Sequence, residues 1–174
     1  MKYELTNETI LFGGCMVVAR IRALRHIRLH NGTEIQPGQL GGYVHSMYNL
    51  SQEGNCWIAD DAVVAEKARV QDDAIVAGNC LMTGQARAQD CAIVRDNARL
   101  WHNAVVCDNA TVIGNAMVSG SSKICGATML KDRVFVSGVS TVSGTGILEG
   151  DAMIRHQTIR ASLKRIGATE HLTD

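Results

Sequence analysis

The chain is dominated by a six-residue alternation of small and apolar positions that runs from Cys56 to Arg160. A small residue such as Ala98 opens each hexad, and an apolar residue such as Leu100 follows two positions later in all 17 hexads that begin between Cys56 and Ala152. A helix would spread these positions around its axis, because it has 3.6 residues per turn. The period therefore predicts very short strands separated by corners.

The residues between the strands are typical of tight corners. Two positions before each small slot, from Gly54 to His156, the residue is always Gly, Asp, Glu or His, and Asn or Asp often follows it. These side chains tolerate a positive φ or cap a turn. Repeated strands and corners predict an all-β solenoid. Its coils would be stacked about 4.8 Å apart, so that the strands of successive coils form parallel sheets.

Composition narrows the classes of partner. Seventeen basic and seventeen acidic residues cancel, which argues against nucleic acid or an anionic membrane as the main ligand. The only proline, Pro37, precedes the repeats, as a continuous hydrogen-bonded ladder requires. The polar start MKYELTNE is not a signal peptide, and no stretch is apolar enough to cross a membrane. We therefore expect a cytoplasmic protein without membrane contact.

The six cysteines do not form a recognisable metal or disulfide spacing. Cys56 and Cys80 occupy small inward slots, where cysteine acts as a compact apolar residue. Free thiols in a reducing compartment are favoured. Cys107 and Cys125 are separated by three hexads and would stack on neighbouring coils, so a bridge between them is the alternative.

The repeat also carries a family resemblance. Segments such as Val76-Ala77-Gly78-Asn79-Cys80-Leu81 resemble the hexapeptide repeat of left-handed β-helix proteins, and Leu40-Gly41-Gly42-Tyr43-Val44 resembles the YdcK-like family of enterobacteria and their prophages. The resemblance implies a single-stranded left-handed parallel β-helix with three hexads per coil. The limits of the repeat itself divide the chain into an N-terminal cap (1–55), a β-helix of about six coils (56–160) and a C-terminal cap (161–174).

Both ends of a solenoid need covering. Lys2–Thr6 and Cys15–Leu24 are predicted as strands of the N-terminal cap, with Gly13-Gly14 as the turn between them. Ile159, Leu163 and Ile166 fall at helical spacing and predict a short C-terminal helix.

Candidate chemistry is sparse. His102, beside Trp101, is the only weak candidate for a catalytic base, and no known catalytic motif accompanies it. Asp72, Asp90 and Asp108 would stack along one corner, where a carboxylate ladder could hold a hard cation. A solvated acidic edge that discourages aggregation is the favoured interpretation. No cofactor is expected, except acetyl-CoA if the protein were an acyltransferase.

The residue between each small slot and its apolar slot points outward, which gives one outward column on each flat face. Face 1 carries Trp57, Ile75, Ile93, Thr111, Met129 and Ile147. Face 2 carries Val63, Leu81, Arg99, Met117, Phe135 and Met153. Face 3 carries Arg69, Arg87, Val105, Lys123, Thr141 and Ile159.

Faces 1 and 2 are mostly apolar, so we expect another subunit, a partner or the N-terminal segment to cover at least one of them. The residues expected to form such an interface are Ile75, Ile93, Met129, Ile147, Leu81, Met117, Phe135 and Met153. The resemblance favours a homotrimer. The preference of β-branched residues for strands is the simpler alternative explanation for these columns.

A run of positive charge extends from Arg20 to His30. It could contact an acidic protein, a phosphate-bearing ligand or nucleic acid. No aromatic residues separate these charges, so base stacking has little support and a solvated basic strand edge is favoured.

Three functions from different classes remain. The favoured one is a non-catalytic binding or scaffold protein, and the distribution of the family suggests a prophage product that acts on a host protein. A CoA-dependent acyltransferase is the second, although no loop interrupts residues 56–160 to build an acceptor pocket. A small-ligand or cation binder at the corner ladders is the third.

Overall fold

A computed structural model of the chain describes residues 1–161 and 165–166, and every regular element within them is a strand. The N-terminal strands are β1 (Tyr3–Phe12), β2 (Met16–Ala23), β3 (Ile27–Arg28), β4 (Glu34–Ile35) and β5 (Leu40–Val44). The repeats supply β6 (Trp57–Ile58), β7 (Val63–Val64), β8 (Arg69–Val70), β9 (Ile75–Val76), β10 (Leu81–Met82), β11 (Arg87–Ala88), β12 (Ile93–Val94), β13 (Arg99–Leu100), β14 (Val105–Val106), β15 (Thr111–Val112), β16 (Met117–Val118), β17 (Lys123–Ile124), β18 (Met129–Leu130), β19 (Phe135–Ser137), β20 (Thr141–Gly144), β21 (Ile147–Leu148), β22 (Met153–Arg155), β23 (Thr158–Ala161) and β24 (Arg165–Ile166).

Successive strands of the repeats join three parallel sheets in rotation, which confirms the predicted β-solenoid. Face 1 is the sheet from β6 to β24, face 2 continues from β5 and β7 to β22, and face 3 runs from β8 to β23. Each residue pairs with the one three hexads later through most of the solenoid, as Ile93 pairs with Thr111. Left-handedness stays a prediction from the resemblance.

The number of coils is larger than expected. Face 1 contains seven strands, so the solenoid makes about seven turns rather than six. The additional length comes from both ends: Tyr43-Val44 pairs in parallel with Val63-Val64, and Leu50 forms a bridge to Val70. At the other end β24 pairs with β21. The stacked sheets thus begin within the segment predicted to be a cap.

Hydrogen bonds between coils hold the stack together. The backbone N–H of a strand residue donates to a carbonyl of the next coil, as from Ile93 to Ala110 at 2.9 Å and from Val105 to Ser122 at 2.8 Å. Inside the coils, the small and apolar slots, such as Ala98 and Leu100, are fully buried. The predicted inward positions are therefore confirmed from Cys56 to Ile154.

The corners adopt the left-handed conformation that the sequence indicated. Among the residues that the structure describes, nine non-glycine residues have φ between 54° and 66°, and they are the predicted corner residues Asp60, Glu66, Asp72, Asp90, Asp96, His102, Asp108, Asp132 and His156. Such a conformation costs a non-glycine residue roughly 1–2 kcal/mol. Asp60 offsets part of this cost, because its carboxylate accepts a hydrogen bond from the backbone N–H of Gly78 on the next coil at 2.8 Å.

The N-terminal cap is the predicted hairpin. β1 and β2 pair antiparallel, and Gly13 and Gly14 turn the chain with positive φ. β2 then pairs antiparallel with β5, so the hairpin extends the sheet of face 2. Lys2 anchors it, because its buried ammonium donates to the carbonyl oxygens of Glu53 at 3.1 Å and Cys56 at 3.0 Å.

The N-terminal segment also covers the first outward residue of face 1. Trp57 is fully buried, although its position in the repeat points away from the solenoid axis. β5 passes directly over it: a Cβ on Gly41 would lie 2.7 Å from the Trp57 ring and 2.5 Å from the Ile58 carbonyl oxygen. Gly41 therefore permits an approach that no side chain would allow.

The six-residue spacing changes by one residue near the C-terminal end. Thr158 pairs with Thr141 and Ile159 with Val142, so these partners are one residue closer in sequence than the partners of earlier coils. An unbroken period would place Arg160 in a buried apolar slot. The shift instead places Ile159 against the core and leaves Arg160 exposed, so Ile159 is not an outward residue of face 3.

The prediction of a C-terminal helix is wrong for the part of this segment that the structure describes, because that part is strand. Ile159 lies in β23 and Ile166 in β24, and both strands continue the parallel sheets. Leu163 and the remainder of the predicted cap, apart from Ala161, Arg165 and Ile166, lie outside the described residues.

Replacing Val106 by Asp should prevent folding. Val106 is fully buried between coils, and an unpaired buried carboxylate costs about 3–5 kcal/mol, a large part of the stability of an ordinary domain. Val105→Asp is the matched control, because Val105 is half-buried and pairs with Arg87 and Lys123. Thermal unfolding should show a transition like that of the wild type for Val105→Asp and no cooperative transition for Val106→Asp. The reverse result would mean that the inward and outward positions are exchanged.

Candidate functional site

Face 2 is divided into a covered half and an open half. Near β5, Val63 is buried with Val18 and Tyr43, and the hairpin residues Phe12 and Met16 pack against the same cluster. Leu81, one coil further along, also packs against it. The hairpin thus covers the outward residue of the first coil of face 2. Leu81, one of the predicted interface residues, is covered in part by the chain itself.

The open half of face 2, called here the distal patch, consists of Trp101, Met117, Phe135, Met153 and Arg155. The rings of Trp101 and Phe135 are stacked, with centroids 6.3 Å apart and planes at 23°. The Arg155 guanidinium lies 5.8 Å from the centre of the Phe135 ring, within cation–π range. Met117 and Phe135 are half-buried, and Met153 is 39% exposed. The patch is an apolar surface with one basic edge.

A shallow depression of about 520 Å³ adjoins the distal patch, and its lining includes Met117, Arg99 and Arg133. One wall is a ladder of stacked amides, in which Asn79 donates to Asn97 and Asn97 donates to Asn115, each at 3.3 Å. The Arg133 guanidinium is held by the Asp151 carboxylate. The depression is thus lined by amides and two arginines, with Met117 as its apolar contribution.

Face 1 offers less continuous apolar surface than its sequence suggests. Ile75 is buried against the core, so it does not contribute to an outer surface of the monomer. Ile93 and Met129 are half-buried, and Ile147 is 38% exposed. The four predicted interface residues of face 1 therefore range from buried to exposed, without an aromatic cluster like that of face 2.

His102 lies on an exposed corner with φ of 60°. Its ring is 6.4 Å from that of Trp101 in an edge-on arrangement. Within the described residues, no carboxylate or hydroxyl contacts the imidazole to orient it. A general base requires such an orienting partner or a substrate within hydrogen-bond reach, so the geometry gives little support to catalysis here.

Asp72, Asp90 and Asp108 stack as predicted, but their carboxylates already have partners. Asp72 accepts from the backbone N–H of Asp90 at 3.2 Å, and Asp90 accepts from that of Asp108 at 3.1 Å. Asp108 accepts from Gly126 at 2.8 Å. The ladder therefore links coils through backbone donors, and this structural role explains its spacing without a cation.

Cys107 and Cys125 lie on neighbouring coils and are free thiols. One ligand atom from each, and one from the Asp108 carboxylate, lie within 4.8 Å of one another. Burial raises the pKa of the Cys107 thiol to about 11. A cation bound by these three groups would have to displace the proton of this buried thiol.

The basic run from Arg20 to His30 is partly neutralised within the N-terminal cap. Arg20 donates to the Glu8 carboxylate at 3.0 Å and to the Gly41 carbonyl at 3.0 Å. Arg22 binds the Glu4 carboxylate, and Arg25 donates to the Gly54 carbonyl at 3.2 Å. Three of these arginines therefore stabilise the hairpin and its junction with the solenoid, which supports the favoured interpretation of a basic strand edge.

Sequence reasoning found most members of the distal patch but not the contact that organises it. Trp101 and Phe135 lie on different coils and belong to different columns, so the repeat alone does not pair them. A signal was present in the column of Trp101, where Ser119 and Ser137 occupy the next two coils. Small residues there leave space for an indole to extend along the stack.

Among the residues that the structure describes, no helix could cross a membrane. Comparison with known proteins found no matching family model and no matching curated sequence. The resemblance to the YdcK-like family therefore stays a prediction from the residues quoted above.

Stability should fall at alkaline pH because of buried thiols. Burial raises the pKa of Cys80 to about 12, against an ordinary value of 9.0. The folded state therefore keeps a proton that the unfolded state loses above pH 9. The contribution of Cys80 to the free energy of unfolding is complete below pH 9. It is lost between pH 9 and 12, at up to about 1.4 kcal/mol per pH unit.

Cys80→Ala should reduce this loss, since alanine fills the same slot in most hexads. The measurement is the free energy of unfolding in urea at pH 8 and pH 10.5. Cys15→Ala, which alters an exposed thiol, is the control and should keep the wild-type pH dependence. If the free energy of unfolding of Cys80→Ala and of the wild type fell equally between pH 8 and pH 10.5, the role given to the Cys80 thiol would be contradicted.

Proposed function

We propose that the protein is a non-catalytic binding or scaffold protein that uses the distal patch to associate with another copy of itself. The observation that carries the proposal is the division of face 2. Where the hairpin reaches, Val63 is buried in a cluster with Val18, and Phe12, Met16 and Leu81 pack against that cluster. Beyond the hairpin, no segment of the described chain covers the stacked Trp101 and Phe135 or the exposed Met153.

The composition of the distal patch is that of an interface centre. Trp, Phe, Met and Arg are enriched at the buried cores of protein interfaces. The stacked rings are held in place before binding, so little side-chain entropy is lost on association. A second copy is the partner we favour, in a closed oligomer that the resemblance suggests is a trimer. A host protein is the further partner, and it would use the surfaces that self-association leaves free.

A CoA-dependent acyltransferase has weaker support. Such an enzyme needs a positioned base and an acceptor pocket. His102 has no orienting side chain among the described residues, and the strands from β6 to β22 follow one another at six-residue spacing with no loop between them. Fold alone does not establish acyl transfer.

Charge placed in the distal patch should dissociate the oligomer. The double variant Met117→Glu/Phe135→Glu should be monomeric by light scattering at micromolar concentration, because two carboxylates would be buried in an apolar contact. Thr141→Glu on face 3 is the control and should keep the wild-type mass. A wild-type protein that is itself monomeric under these conditions would refute self-association.

The acyltransferase alternative is tested through His102. His102→Asn is the suitable variant, because asparagine tolerates the positive φ of this corner. We expect the wild type to release no thiol from acetyl-CoA with a broad set of amine and hydroxyl acceptors. We also expect the variant to melt like the wild type. Turnover that disappears in His102→Asn would establish the alternative instead.

A further inference from the structure

Face 3 places two arginines side by side. Arg69 and Arg87 are partners in the parallel pairing of β8 and β11, and both side chains are exposed. Like charges at directly opposed positions of neighbouring strands are destabilising. Within the described residues, neither guanidinium has a carboxylate within ion-pair distance. The protein therefore keeps an unfavourable charge pair at this position.

Elsewhere the same solenoid places opposite charges on neighbouring coils. Lys131 pairs with Glu149 at 2.6 Å, and Arg133 pairs with Asp151 at 2.5 Å, in each case on the following coil. These pairs show that the stack readily accommodates a carboxylate beside a basic residue. The unpaired arginines of β8 and β11 thus leave room for an anion from outside the chain.

The two arginines line a cleft of about 430 Å³ together with Lys67 and Tyr48. The Tyr48 side chain is 80% exposed and stands between this cleft and a second one. Glu66 also lines the cleft, but its carboxylate accepts a hydrogen bond from the backbone N–H of Gly84. Three cations against one carboxylate leave the cleft positively charged.

The turn that carries Tyr48 is held firmly. Asn49 is buried, and its side-chain amide donates to the Ala68 carbonyl at 2.8 Å. The Asn49 side-chain oxygen accepts from the backbone N–H of Ser46 at 2.7 Å. The base of the aromatic side chain is therefore fixed relative to β8, beside Arg69.

We propose that this cleft binds a small phosphate monoester that carries a planar ring, such as a nucleoside monophosphate. Guanidinium groups match phosphate oxygens in geometry and charge, and an anion between Arg69 and Arg87 would remove their repulsion. The ring of the ligand would stack on Tyr48, a contact that does not depend on the identity of the base. The cleft is within the size range of small-molecule sites. This site lies on face 3 and is independent of the distal patch.

Calorimetric titration of the full-length protein with adenosine 5′-monophosphate tests the proposal, with ribose 5-phosphate and adenosine as partial ligands. We expect the nucleotide to bind, and Arg69→Gln/Arg87→Gln to weaken it at least about tenfold. Tyr48→Ala should weaken the nucleotide several-fold and leave ribose 5-phosphate unchanged. Lys123→Gln is the control, because Lys123 belongs to the same face but lies outside the cleft.

Three results would overturn the site. The first is a wild type that binds neither the nucleotide nor ribose 5-phosphate. The second is an equal loss of affinity in Lys123→Gln, which would indicate a diffuse basic surface. The third is binding of heparin that exceeds nucleotide binding and is unaffected by Tyr48→Ala, which would indicate a site for extended polyanions. All variants change exposed side chains, and thermal unfolding verifies that each is folded.

Discussion

Backbone hydrogen bonding between coils is the constraint on which the rest of the structure depends. The outward residue of a repeat strand donates its backbone N–H to a carbonyl of the next coil, as Arg87 does to Ala104, so successive coils must keep the same length and path. Corners must therefore turn identically, and each one requires a left-handed residue at the same position of the hexad. Proline would interrupt the donors, and the single proline lies in the N-terminal segment.

This constraint explains why so many polar side chains of the repeats are structural. An acidic residue at a left-handed corner can reach the amide of the next coil, as Asp96 reaches Gly114 at 3.0 Å. The hydrogen bond offsets part of the backbone strain and links the coils at their edge. Stacked carboxylates and amides thus arise from the fold itself. Some features are not required by the hydrogen bonding between coils, such as the stacked rings of the distal patch and the neighbouring arginines of face 3. These features are better indicators of function.

The sequence predicted the solenoid, its inward residues and its hairpin, because each of these follows from a repeated local rule. It did not predict the burial of Trp57, since this depends on the close approach of Gly41 from outside the repeat. It also missed the one-residue shift before Thr158, where burial of Ile159 instead of Arg160 prevails over regular spacing. The outward column of face 2 from Val63 to Met153 was identified, but the extent of the hairpin over Val63 and the contact between Trp101 and Phe135 are tertiary features that no periodicity encodes.

Side-chain oxidation tests most directly whether the distal patch is covered when the protein assembles. Hydroxyl-radical labelling followed by mass spectrometry would compare Met153 with Met1, which is 81% exposed, at concentrations below and above assembly. Self-association through the patch predicts that oxidation of Met153 and Trp101 falls as concentration rises, while oxidation of Met1 stays constant. Constant oxidation of all three residues across the concentration range would contradict it.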